Sequence, residues 1–338
     1  MKILIIGGSR FVGYHLARYL LEEGHQLTLF NRGQTGDDFG QRVTRLKGDR
    51  YNWQQFSGAL TGQKFDVVID MIAFKREDSL AAIKLFSGKV GHFIHISTAA
   101  VYAVTKDYPC PLREEDFQRE LNPKPAKADE LWIYGYQKRQ CEEVLQEAYR
   151  REKFPVTIFR LPIVIGERDY TLRAYSYIIR IMDGKPLILP DGGMNVFTLI
   201  YQADIVRTIA SNLLNSSSWG QAYNLAQEEI ISLRALVKAI SHVLEKKLEM
   251  VNIPVEVLKK TPFGLSFSPF TMRRPLILEV RKAKSQLRFK STPFSVWIAN
   301  TVHWFKNKYK GEPPQNYRKR KMEIEFCHRY QEAVESII

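Results

Sequence analysis

The chain opens with Met1-Lys2-Ile3-Leu4-Ile5-Ile6 and passes without a break into Gly7-Gly8-Ser9-Arg10-Phe11-Val12-Gly13. No other stretch restricts the fold as strongly. A continuous apolar run of this length reads as a strand buried on both faces, which is the situation inside a parallel sheet covered by helices. It is too short for the core of a signal peptide or for a membrane span. Beyond the glycines, Phe11, Tyr14, Leu16, Leu20 and Leu21 recur at helical spacing as far as Gly24, a C-terminal stop. A strand that ends in glycines and feeds a helix points backbone N–H groups and the positive helix end at one place, where a diphosphate can bind. Gly7 permits the tight turn, Gly13 lets the helix pack closely, and Arg10 stands where a middle glycine is usual. Glycine spacing alone is common; its position between an N-terminal strand and an amphipathic helix carries the inference. Gly7, Ser9, Arg10, Phe11, Val12 and Gly13 are therefore expected to line a dinucleotide.

The first half of the chain continues to alternate strand and helix signals, which implies parallel strands joined by crossover helices. Strands are expected at Gln26–Phe30, Val67–Asp70, His92–Ile96 and Val156–Arg160, with one more ending before Gly48 and a long helix from Tyr134 to about Tyr149. After Gly166 the pattern loosens. Helices are expected over 172–182, 204–214, 232–245 and 294–306, and short strands near 198–201 and 222–225. Residues 254–280 read as irregular, 310–318 as a linker, and 319–336 as a final amphipathic helix. The expected class is α/β, a doubly wound parallel sheet with a smaller C-terminal α/β portion. Residues 1–166 would form the nucleotide-binding domain, with 198–225 returning to it. Residues 167–197 and 226–310 would form the substrate portion, and 311–338 a basic linker and helix.

With 338 residues, 45% hydrophobic and 12% aromatic, the chain can bury a full core, and general disorder is excluded. No apolar run is long enough to span a membrane. Cys110, Cys141 and Cys327 lie far apart, so neither a disulfide framework nor a zinc site is indicated, and a cytoplasmic protein fits. His92 and His95 are three apart on a strand and face opposite sides, so no metal site is expected. Trp297, Trp304 and Phe305 follow helical spacing and read as core. The net charge of +14 is concentrated near the end, where 281–338 hold 13 Lys/Arg against 5 Asp/Glu. Such a tail suits nucleic acid, an anionic surface or anionic substrates, or it serves solubility alone.

Cofactor choice turns on the end of the second strand, where a carboxylate would hydrogen-bond the adenosine 2′-hydroxyl of NAD. Asn31 and Arg32 stand there instead, with no acid before Asp37. Arg32, with Arg10 from the turn, offers forked donors suited to a 2′-phosphate. NADP is therefore the preferred cofactor, with NAD possible.

Tyr134-Gly135-Tyr136-Gln137-Lys138 puts a phenol and an amine at i and i+4 on one helix face. A nearby ammonium stabilises a phenolate and makes Tyr134 usable as an acid or base near neutral pH. Tyr136 has Gln140 four residues on and lacks such a partner. Thr98, in Ser97-Thr98-Ala99-Ala100-Val101-Tyr102, follows a strand end where ligands of doubly wound sheets bind, and its hydroxyl could meet the substrate oxygen.

Taken together, the glycine turn, the Ser97-Thr98 segment and the Tyr134/Lys138 pair resemble the extended short-chain dehydrogenase/reductase family, the nucleotide-sugar epimerases, reductases and dehydratases with a Rossmann domain. The resemblance runs over nearly the whole chain. It takes in Gly48-Asp49-Arg50, Arg160-Leu161-Pro162-Ile163-Val164-Ile165-Gly166, Asp204, Tyr223-Asn224-Leu225 and Lys282-Ala283-Lys284 with Leu287-Arg288-Phe289. It implies a Thr98–Tyr134–Lys138 triad, with Lys138 also on the nicotinamide ribose. Asp49 would contact adenine, Ala73, Leu161 and Val164 would line the cofactor, and Arg173, Arg273 and Arg274 could clamp a substrate diphosphate. Three departures qualify it. Ala99 and Ala100 occupy the places of the dehydratases' acid pair, so hydride transfer is favoured over loss of water. Only 26 residues separate Asp70 from Ser97, so the middle segment is short. The Gly-Gly-Ser-Arg-Phe-Val-Gly turn, Leu29-Phe30-Asn31-Arg32-Gly33 and that short segment are similar to a divergent branch, the chloroplast stem-loop-binding RNA proteins.

The expected function is thus an NAD(P)-dependent epimerase or reductase acting on a nucleotide sugar, as a monomer or homodimer. Two other readings stay open. One is an RNA-binding protein, with weak nucleic-acid binding through Arg318-Lys319-Arg320-Lys321; the other is an NADP-binding redox sensor without turnover. The intact Tyr134/Lys138 pair favours the enzyme.

Overall fold

The computed structural model describes residues 1–107, 109–127, 129–271 and 275–337. The chain divides into two compact units. The first comprises Met1–Val164, Leu199–Glu228 and Leu276–Ser291, and the second Ile165–Thr198, Glu229–Pro275 and Thr292–Ile338. This differs from the division expected from sequence: 276–291 joins the first unit, and 311–338 is part of the second. The reason is packing at long range. Leu278, Val280, Ala283, Leu287 and Phe289 enter the first unit's core, and the Lys282 amine bonds Gln221 Oε1 at 2.9 Å and the Ala222 carbonyl at 3.0 Å.

The first unit is built on seven strands: β1 (Lys2–Ile6), β2 (Gln26–Asn31), β3 (Val43–Lys47), β4 (Phe65–Asp70), β5 (Val90–Thr98), β6 (Val156–Leu161) and β7 (Gln221–Asn224). Their spatial order is β7-β6-β5-β4-β1-β2-β3, with every pairing parallel. The order reverses between β1 and β4, where Ile6 lies opposite both Phe30 and Asp70. In open α/β sheets the crevice beyond such a reversal is where ligands bind. The helices are α1 (Phe11–Glu22), α2 (Trp53–Leu60), α3 (Arg76–Phe86), the short α4 (Ala100–Ala103) and α5 (Glu130–Glu152), with a further helix at Gln202–Ala210.

Alternation along the strands divides the core into two faces. Ile3 and Ile5 join Tyr14, Leu16 and Leu20 of α1, while Leu4 and Ile6 join Phe56 of α2, Phe86 of α3 and Leu145 of α5. Each fully buried side chain of this kind contributes roughly 1.5–3 kcal/mol. The same alternation separates the two histidines. The His92 ring reaches the Leu213 carbonyl and Thr157 Oγ1, while His95 meets Lys138 of α5.

Two boundaries differ from the sequence reading for local reasons. Helix α5 begins four residues before Tyr134, because the Asp129 carboxylate accepts from the Trp132 N–H at 3.1 Å and caps it. The helix at Gln202–Ala210 stops short of 214, and the Asn212 amide takes up the Thr208 carbonyl at 2.8 Å.

The second unit pairs Leu187–Pro190 with Met250–Ile253 in parallel and carries helices Arg173–Met182, Leu233–Leu244, Phe294–Asn307 and Arg320–Glu335. Trp297 and Phe305 are buried, as their spacing predicts, whereas Trp304 is only half-buried. The C-terminal helix is anchored by charge: Arg180, fully buried, reaches Glu323 at 2.7 and 2.9 Å, and Arg320 reaches Asp183 at 2.8 and 3.0 Å. Among the described residues no helix is long and apolar enough to cross a membrane.

Candidate active site

The turn after β1 is shaped by glycine. Gly7 and Gly8 have φ of +103° and +91°, which an L side chain rarely adopts. A Cβ on Gly13 would come within 2.6 Å of the Gly8 Cα, so α1 can start this close to the turn only without a side chain there. Arg10 is the N-cap of α1 with an extended backbone and no capping side-chain bond. No acid in the first turn of α1 offsets the positive end of the helix.

The edge beside this turn is hydrogen-bonded into one set. Asn31 Nδ2 donates to Ser9 Oγ at 2.9 Å, Asn31 Oδ1 accepts from the Gly33 N–H at 2.8 Å, and Arg10 Nε donates to Thr35 Oγ1 at 2.8 Å. Arg32 is exposed. Thr35 is a member that the sequence alone did not reveal, because its loop has no periodicity. The two acids that follow are committed elsewhere: Asp37 pairs with Arg45, and Asp38 accepts the Tyr14 hydroxyl at 2.7 and 2.8 Å. Asp49 Oδ1 accepts from the Tyr51 N–H at 2.9 Å, which shapes the loop after β3. The neighbouring Arg50 is buried and grips Asp70, at the end of β4, at 2.6 and 2.7 Å.

Thr98 is the last residue of β5, half-buried, with Oγ1 accepting from the Ala100 N–H at 3.2 Å. Helix α5 meets this corner through Gly135: a Cβ there would lie 2.2 Å from the Ala100 carbonyl oxygen. Only glycine permits that approach, and it sets the turn bearing Tyr134 against the segment that follows Thr98. The Tyr134 ring is exposed and 6.2 Å from that of Phe74, whereas Tyr136 stacks on Trp132 at 4.9 Å.

One turn along, Lys138 is buried. Its ammonium donates to the Ile96 carbonyl at 2.7 Å and the Ala73 carbonyl at 2.8 Å, and lies 3.1 Å from His95 Nε2. Burial lowers the pKa of Lys138 and, with the charges of Lys138 and Arg50, lowers that of His95 well below its usual value. Ala73 is buried beside Lys138 as its acceptor; Leu161 is buried, its carbonyl accepting from the Ala99 N–H at 2.8 Å, and Val164 is half-buried. Arg173, at the start of its helix in the second unit, donates to Thr171 Oγ1 at 3.3 Å. Arg273 and Arg274 lie outside the described residues. Among the described residues no three His, Cys, Asp or Glu side chains cluster as metal ligands.

A buried ionic network behind β5 also escaped the sequence reading. Glu142, four residues after Lys138, accepts from Ser97 Oγ and from Arg160 at 2.6 and 3.0 Å; Arg160 reaches the Tyr102 hydroxyl at 2.7 Å, which donates to Asn224 at 2.7 Å. The available signal was a serine in β5 and an arginine in β6, each inside a buried strand. This network joins β5, β6, β7 and α5, and so holds Thr98 and Lys138 on one rigid frame.

Comparison with known proteins bears on the family and the fold. The model of the NAD dependent epimerase/dehydratase family matches residues 3–87 and 77–226. The chain is 28% identical over 251 residues to the chloroplast stem-loop binding protein of 41 kDa b from Arabidopsis thaliana, covering 70% of this chain and 62% of that one. It is 24% identical over 262 residues to 2′-dehydrokanamycin reductase of Streptomyces kanamyceticus, covering 76% and 70%. Among solved structures, dTDP-glucose 4,6-dehydratase from Bacillus anthracis in complex with NAD superposes with a TM-score of 0.71 at 18% identity, over 91% of this chain and 97% of that one. With the family model covering well over half of its length, the chain belongs to the NAD dependent epimerase/dehydratase family.

Proposed function

We propose that the protein is an NADP-dependent reductase or epimerase that moves hydride to or from a carbinol carbon of a sugar carried on a nucleotide diphosphate. The observation that carries this reading is the approach of Gly135 to the Ala100 carbonyl, which brings the Tyr134 turn and the Thr98 corner together in the unit that holds the glycine turn. Ser9, Arg10, Phe11, Val12 and the uncapped start of α1 would hold the cofactor diphosphate. Asn31, Arg32, Arg10 and Thr35 would hold a 2′-phosphate, Asp49 would take the adenine, and Ala73, Leu161 and Val164 would flank the nicotinamide. The bound cofactor supplies a ring that accepts or returns hydride. Thr98 positions the substrate hydroxyl, Tyr134 takes or returns its proton, and the Lys138 charge eases formation of the phenolate. With alanines at 99 and 100, no acid pair follows Thr98 to drive elimination.

The test is turnover of NADPH or NADP with a panel of nucleotide sugars, and of free and aminoglycoside-linked sugars as controls. Turnover of a nucleotide sugar that disappears in Tyr134→Phe supports the reading. Cofactor binding with no turnover across the panel, together with tight RNA binding, would replace it with a binding function.

A further inference from the structure

His95 belongs to neither the cofactor turn nor the Thr98–Tyr134–Lys138 set, yet it is fully buried with its ring against the Lys138 amine. A lysine ammonium has three protons and no acceptor. Its three partners here are the Ala73 and Ile96 carbonyls and, at 3.1 Å, the His95 Nε2, so the ribose contact that the resemblance implied for Lys138 would have to displace one of the carbonyls. We propose that His95 is a positioning residue for Lys138, a neutral ring that accepts from the ammonium through Nε2 while carrying its own proton on Nδ1. This rests on the catalytic reading of Lys138 given above.

The choice of an imidazole has a chemical consequence. A carboxylate in this place would pin the lysine equally well but would cancel its charge, and the field reaching Tyr134 would fall with it. A neutral acceptor fixes the amine and leaves the charge in force. The surroundings are consistent with a ring that stays neutral. Among the described residues, the charged or titratable groups that weigh most on the pair are Arg50, Asp70 from β4, and Cys141 and Glu142 from α5. Asp70 is bound to Arg50, and Glu142 to Arg160 and Ser97, so neither acid is left to stabilise an imidazolium. Nδ1 has no hydrogen-bond partner among the described residues.

Histidine tautomers are read directly by ¹⁵N–¹³C correlation NMR on the full chain, with His95→Gln identifying the His95 signals. The expected result is protonated Nδ1 and bare Nε2, unchanged between pH 6 and 9, with that preference lost in Lys138→Met. A proton on Nε2, or a charged ring at pH 7, would overturn the proposal. Kinetics gives a second reading. His95→Gln keeps an acceptor near the Nε2 position and should hold kcat and its pH profile within about threefold. His95→Leu should lower kcat on the order of 10- to 100-fold, since a misplacement of about 1 Å costs that much, with KM little changed and the pH profile displaced. Equal activity of the Leu and wild-type proteins would also overturn it. The NMR arm needs no turnover, so failure of the catalytic reading and failure of the His95 assignment are told apart.

Discussion

A phenol has a pKa near 10, about three units above the neutral pH at which an acid–base catalyst would have to work. The proposed role of Tyr134 therefore stands or falls with one hydroxyl. Tyr134→Phe should keep fold and cofactor affinity and lose turnover by about 10²–10⁴-fold. Tyr136→Phe should change little, because that ring is stacked on Trp132 and has no lysine one turn on. A fully active Tyr134→Phe protein would end the catalytic reading. At the other end of the site, Arg32→Asp should invert the preference for NADPH over NADH in calorimetry, and equal wild-type affinities would remove the argument for a phosphate site. His92 makes a separate prediction about stability. Burial lowers its pKa to about 4, against 6.5 for an unperturbed ring. Between those values the unfolded chain binds the extra proton and the folded chain does not, so stability falls as pH drops from 6.5 toward 4 and is flat above 6.5. The loss is on the order of 3 kcal/mol. Urea denaturation at steps of pH should show it, with a shallower acid limb in His92→Phe. Of these residues the sequence singles out Tyr134, Lys138 and Arg32 as candidates through spacing and local context. It hid Thr35 and the Lys138–His95 contact, which are made across 25 and 43 positions of chain and leave no periodic trace.

At the scale of elements, the strands and helices of the first unit were legible because each repeats with its own period: continuous apolar runs for strands buried on both faces, and a stripe of about 3.6 residues for α1. What the pattern did not show was how closely α5 meets the end of β5. Gly135 sits between two tyrosines and reads as a helix weakness, costing up to about 1 kcal/mol against alanine. In the fold it is the reverse, the one residue that admits the Ala100 carbonyl. Gly135→Ala should therefore lower stability, by roughly 1–3 kcal/mol as overpacking does, although alanine is the better helix former. It should also displace the Tyr134 turn, and a shift of about 1 Å is worth on the order of 100-fold in kcat. Thermal melting and kinetics on the same preparation check both parts. A more stable or fully active Ala variant would show that α5 can shift on α4 without consequence.

For the molecule as a whole, the basic C-terminus was the feature most open to misreading. As a string, Arg318-Lys319-Arg320-Lys321 suits a nucleic-acid arm. In the fold, Arg320 is buried on Asp183 and Glu323, and the helix it begins supplies Glu323 to Arg180 and Cys327 to the second unit's core. Removing everything after residue 310 would leave Arg180 as an uncompensated buried charge, and breaking a buried pair in this way costs about 3–5 kcal/mol. Loss of RNA binding on such a truncation would then report unfolding rather than the loss of a binding arm. The informative variant neutralises only the exposed residues, Arg318→Ser, Lys319→Ser and Lys321→Ser, and leaves Arg320 in its pair. That triple variant should melt within a degree or two of wild type, whereas Glu323→Gln should be destabilised by the amount given above and should leave NADPH affinity in the first unit intact. If these side chains neutralise RNA phosphates, the triple variant will also flatten the dependence of RNA affinity on salt, by close to one unit of log–log slope for each phosphate that goes unneutralised. A Glu323→Gln protein with wild-type stability would mean that the C-terminal helix is held by its apolar face alone, and the truncation would again be a fair test of RNA binding.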